Sequence, residues 1–90
     1  MIRLLEQETR NWFMEGVARG AAYLIMVHDN CEQIWRPLFV YPDQNVQHEV
    51  MRIVGDMRFR MGSVLTLTED MESQVMFAVS TNVVVSRIEN

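Results

Sequence analysis

The apolar positions of this chain change their period several times, and each change marks an element. Over residues 3–18 they recur at helical spacing. Leu5, Trp12, Phe13, Gly16 and Val17 share one stripe, and Gln7, Asn11 and Glu15 fall largely opposite. Trp12 and Phe13 read as core beneath a sheet, with an aromatic binding platform as the alternative. Gly20 follows as the residue that stops such a helix. The run from Ala21 to Val27 is then wholly apolar, and the polar break Asp29-Asn30-Cys31-Glu32-Gln33 ends it. Ile34-Trp35-Arg36-Pro37-Leu38-Phe39-Val40-Tyr41 resumes it. Two β-prone runs around a short polar break predict a hairpin with strands at 21–28 and 34–41. The first strand is expected to be covered on both faces or to lie centrally in the sheet, because none of its positions is polar before His28. Pro37 cannot donate to a ladder, so the second strand is expected at an edge or a bulge.

Asp43 or Asn45 can cap the next helix, predicted over 44–60, with Val46, Val50, Ile53, Val54, Met57 and Met61 as its apolar stripe. His48, Arg52 and Asp56 face outward on this reading. Gly62-Ser63 breaks the pattern, and Val64-Leu65-Thr66-Leu67-Thr68 alternates as a short strand, with loop or continued helix as alternatives. Thr68, Glu69 and Asp70 then open a third helix over 69–81, whose buried face is Met71, Val75, Ala78 and Val79. Residues 83–88, Val83-Val84-Val85-Ser86-Arg87-Ile88, are β-prone and predict a C-terminal strand. The expected fold is α+β: a small antiparallel sheet built on the central hairpin and packed by three helices.

Ninety residues make one domain of modest stability, since a chain this size buries only about 60–65% of its unfolded surface. Against that small volume, 49% of the residues are hydrophobic, eight of them Met, so some apolar surface must face outward. That surface is either ordinary apolar area or a face for a partner or a second copy of the chain, and a homodimer is expected through the last strand or the Met-rich helix faces. The formal charge is −4 and all eight basic residues are Arg. With no Lys there is no Schiff-base, P-loop or general-base lysine. The acidic balance argues against direct nucleic-acid binding, which draws on a surplus of cations. One cysteine, Cys31, excludes an intrachain disulfide framework and suits a reducing compartment. The charged start and the shortness of the longest apolar run predict a cytoplasmic protein without a membrane anchor.

The segment Ala18-Arg19-Gly20-Ala21-Ala22-Tyr23-Leu24-Ile25-Met26-Val27, followed by Asp70-Met71-Glu72-Ser73-Gln74, resembles a group of small bacterial and phage proteins. There a basic-Gly-Ala segment leads into a hydrophobic strand and an acid-rich turn. This chain departs from the group at the turn, where Asn30-Cys31-Glu32 stands. The resemblance implies a phage or mobile-element origin and carries over no functional residues.

Two clusters hold chemically able side chains. His28, Asp29, Cys31 and Glu32 crowd the hairpin tip, but a structural zinc site needs four ligands, normally from two motifs, and no second motif exists. Cys31 and His28 lack an orienting residue or an oxyanion motif, so no catalytic residue, metal or cofactor is assigned. The tip reads as a polar turn whose His28, Asp29, Asn30, Glu32 and Trp35 form a possible partner face. The second cluster is Arg52, Arg58 and Arg60, with Arg36 as a possible neighbour. On a helix through residue 60, Arg52 and Arg60 would bracket Asp56. This is either a solvated ion-paired face or an anion site for a nucleotide. Together these features favour a non-catalytic binding protein that inhibits a bacterial defence protein by occupying its surface. A nucleotide-sequestering oligomer is the alternative.

Overall fold

The computed structural model describes residues 2–89, and their side chains over residues 6–80. The elements run α1 (Ile2–Arg19), β1 (Tyr23–Asp29), β2 (Ile34–Val40), α2 (Val46–Val54), β3 (Phe59–Thr66) and α3 (Met71–Glu89). The strands form one antiparallel sheet in the order β2-β1-β3. α1 and α3 cover one face, where Phe13 and Ala78 meet Leu24, Met26 and Leu65. α2 covers the other, where Ile53 meets Ile25, Val27 and Val40. Successive side chains of a strand point to opposite faces. The unbroken apolar run of β1 is thereby explained: Leu24 and Met26 serve one core, Ile25 and Val27 the other. β2 is an edge strand and carries Pro37 opposite Met26, where the missing donor costs least.

Gly20 ends α1 with φ +79°. Its N–H donates to Val17 O (3.1 Å), and the N–H of Ala21 donates to Gly16 O (2.9 Å). This pair of bonds is the Schellman closure, which needs a left-handed residue. Among the described residues of α1, Thr9, Phe13 and Gly16 are buried, and a Cβ on Gly16 would lie 2.6 Å from Leu67 Cδ1 and 3.0 Å from Phe39 Cε1. The helix therefore sits tight on the sheet at this point. The predicted stripe is corrected accordingly: Val17 is 52% exposed, and the side chain of Leu5 lies outside the described residues.

Two boundaries differ from expectation. The helix predicted over 44–60 stops at Val54, and residues 59–66 form β3, longer than the predicted strand at 64–68. Met57 and Met61 fit helical spacing by coincidence. Gly55 is about 1 kcal/mol poorer than Ala inside a helix, and the Asp56 carboxylate accepts from the N–H of Arg58 (2.9 Å) to set a turn instead. The second edge of β1 supplies a ladder for the residues that follow. A bulge places Gly62 and Ser63 opposite Met26, so that Met61 and Val64 both reach the α2 face. The C-terminal strand predicted at 83–88 is instead the end of α3. No Gly or Pro separates it from the helix, and a helix already nucleated adds valines for only a few tenths of a kcal/mol each.

Asn45 caps α2, its side-chain oxygen accepting from the N–H groups of Gln47 (2.9 Å) and His48 (3.2 Å). Asn45→Ala is expected to lower the unfolding free energy by about 1 kcal/mol. Urea unfolding followed by circular dichroism measures it.

Candidate functional site

The hairpin tip is assembled around one carboxylate. The loop 30–33 turns the chain from β1 into β2, and Gln33 closes it with φ 59°, a conformation in which non-glycine residues are uncommon. The Gln33 N–H donates to Asp29 O (2.7 Å), and its Nε2 donates to Asn30 O (2.7 Å). The side chain of Asp29 is 1% exposed. Its Oδ1 accepts from the N–H groups of Cys31 (2.9 Å) and Glu32 (3.2 Å), as aspartates in turns do. Arg58 grips the same carboxylate with two prongs, Nε to Oδ1 (3.3 Å) and Nη2 to Oδ2 (3.0 Å). Arg36 Nε stands 3.8 Å from Oδ2. The Arg58 hydrogen bonds pull the carboxyl down to about 2, overriding the burial that would raise it. Arg58 in turn is raised above its ordinary value by the same contact.

Asp29 is therefore an internal anchor, closed to any partner. It ties the tip to the turn between α2 and β3. Asn30 extends the tie, its N–H donating to Arg58 O (2.8 Å) and its Nδ2 to Met57 O (3.4 Å). Of the other tip residues, Asn30 and Glu32 are exposed, and His28 and Trp35 are half-buried. His28 Nδ1 lies 2.9 Å from Asn30 Oδ1, and its ring meets Trp35 edge-on with centroids 5.0 Å apart. Glu32 pairs with Arg36 (2.5 Å), and the exposed Cys31 thiol is free.

The three arginines do not share a helix. Arg52 lies on α2 and pairs with Glu49 (2.5 Å). Arg58 belongs to the tip. Arg60 stands on β3 opposite His28. The bracket of Arg52 and Arg60 around Asp56 therefore does not form, because the helix it required ends before it. What does form is an apolar groove of about 270 Å³ between α2 and the sheet, floored by Val27, Leu38, Ile53 and Phe59, with Arg36 and Arg52 also lining it. Among the described residues, no group of three or more His, Cys, Asp or Glu is placed to hold a metal ion.

No family model, curated protein or solved structure matches this chain. Among the described residues, no helix is long and apolar enough to cross a membrane.

The feature that spacing alone mis-sorted is an apolar stripe. Met51 (71% exposed), Val54 (65%) and Met57 (96%) project from α2 and the turn that follows. Val54 and Met57 belong to the apolar stripe of a helix only if that helix runs on without interruption. Reading Gly55 as a stop would have released both to the surface.

Proposed function

We propose that this chain is a non-catalytic binding protein that acts by occupying a surface on a bacterial protein. In this reading it is a phage or mobile-element accessory protein that inhibits a defence system in the host cytoplasm. The observation that carries the binding function is the stripe Met51-Val54-Met57. It stands out from the fold and runs into the hairpin tip through the Asn30 contact with Met57. Methionines are polarisable and unbranched, and they conform to varied partner shapes. Polar groups stand beside them: the Glu49–Arg52 pair on the same helix and Asn30, which donates to Met57 O, and polar groups at the edge of an apolar patch are what docking patches show. Nucleotide binding through Arg52, Arg58 and Arg60 has less support, because Arg58 is fastened to Asp29 and Arg52 to Glu49.

Capture from a bacterial lysate, followed by mass spectrometry, tests the reading. The wild-type chain is expected to recover one protein in stoichiometric amount. The double variant Met51→Asp/Met57→Asp should weaken that capture by about a hundredfold, the scale of a central interface residue. Its melting temperature should stay within roughly 3 °C of wild type, as for exposed substitutions generally. Undiminished capture by the variant sinks the assignment, as does recovery of nothing at micromolar concentration. Light scattering of the free protein separates a foreign partner from a second copy of the chain.

A further inference from the structure

On the opposite face of the sheet from the α2 stripe, α1 and the start of β2 enclose a second cleft. Its volume is about 550 Å³, and its lining is Glu8, Asn11, Trp12, Gln33, Ile34 and Trp35. Trp12 and Trp35 are the only two tryptophans of the chain. Both are half-buried against the α1/α3 core, so each is held in place while part of it faces the cleft.

Beside the N–H donors of the two indoles and of Asn11, the lining presents one carboxylate and two amide oxygens as acceptors, and the carboxylate is its one charge among the described residues. Glu8 is exposed and forms no ion pair with any described residue. Gln33 uses Nε2 to donate to Asn30 O, an arrangement that leaves its Oε1 without a donor. Asn11 Oδ1 accepts one hydrogen bond, from Gln7 Nε2 (3.2 Å), and retains a second lone pair. Among the described residues, no basic side chain lines the cleft. A site with two indoles, one carboxylate and two amide oxygens is complementary to a flat cation rich in donors.

From this complementarity we infer that the cleft receives an arginine side chain of a partner protein. A guanidinium stacks on an indole and at the same time forks its N–H groups toward carboxylate and carbonyl oxygens. A lysine ammonium supplies a compact charge without the plane. Tryptophan and arginine are also the residue types on which interface affinity concentrates. The site is independent of the α2 stripe, and either can fail without the other.

Because both tryptophans line the cleft, intrinsic fluorescence reports on it directly. Tetra-arginine amide is expected to give a saturable change at millimolar concentration, weaker in high salt because Glu8 is exposed. Glu8→Arg, a surface change that should leave the fold intact, is expected to weaken binding by roughly tenfold or more. Met51→Asp/Met57→Asp should bind the peptide as wild type does. No saturable change, an equal change with tetraglutamate or tetramethylammonium, or unaltered binding by Glu8→Arg would each overturn the inference.

Discussion

Leu24→Ala is expected to lower the unfolding free energy by roughly 3–4 kcal/mol, within the span seen for leucine truncations in cores. Leu24 has no exposed surface, and it pairs with Phe39 on β2 and with Leu65 on β3. Its side chain enters the cluster of Phe13, Leu65, Leu67 and Ala78. The loss combines the transfer of the removed methyl groups with the cavity left behind, and the second part depends on how far the surroundings can collapse. Here they can collapse little. Strands hold the backbone on both sides, and α1 is already in close approach at Gly16. A domain of this size is stable by only about 5–10 kcal/mol, so the variant would melt roughly 12–30 °C lower. Val54→Ala, at an exposed position of α2, should change stability by no more than about 0.5 kcal/mol. Thermal melts of the two variants measure the contrast. A fall under about 5 °C for Leu24→Ala would mean that the α1/α3 face is loosely packed.

What could be read from the chain follows the range of the interactions involved. The hairpin is local: two apolar runs, a polar break and Pro37 all lie within twenty-odd residues, and its geometry follows from them. The burial of β1 on both faces is written in Ala21 to Val27. β3 is different, because nothing near residues 59–66 shows that β1 has an unfilled edge. Met57 and Met61 meanwhile satisfy a helical period as well as Met61 and Val64 satisfy a bulged strand. The valines of 83–88 show the opposite error, a local strand preference overruled by a helix already running. At the tip, the sequence brings His28, Asn30, Glu32 and Trp35 together because they are neighbours along the hairpin. It does not show Arg58 arriving from 29 residues away to claim Asp29, and so it does not separate the anchor from the surface around it. Trp12 illustrates the same limit. Its spacing is compatible with core or with an exposed platform, and in the fold it packs on the core and also lines a cleft.

Asp29→Asn is expected to lower the melting temperature at neutral pH by on the order of 10 °C, because a turn, a strand end and the α2–β3 connection all rest on one carboxylate. Asparagine keeps an acceptor for the N–H groups of Cys31 and Glu32 but offers no charge to Arg58. The dependence on pH separates this cause from a simple loss of shape. In the folded chain Asp29 titrates at about 2, below its ordinary value of 3.8. The native state therefore holds the ionised form more tightly than the unfolded chain does. Its contribution is present in full above about pH 4–5 and drains away as pH falls through about 2. Glu72, also lowered by its hydrogen bonds with Arg10, adds an acid-sensitive part in the same direction that the variant retains. The gap in melting temperature between wild type and Asp29→Asn should thus be constant at neutral pH, narrow below about pH 4 and be mostly lost near pH 2, where the wild-type carboxyl is about half protonated. Arg58→Met should reproduce both the loss and its pH profile, since it removes the other half of the same contact. Melting curves of the three proteins from pH 7 to pH 2 check this, and a gap of unchanged width across that range would show that the charge on Asp29 is not what holds the tip together.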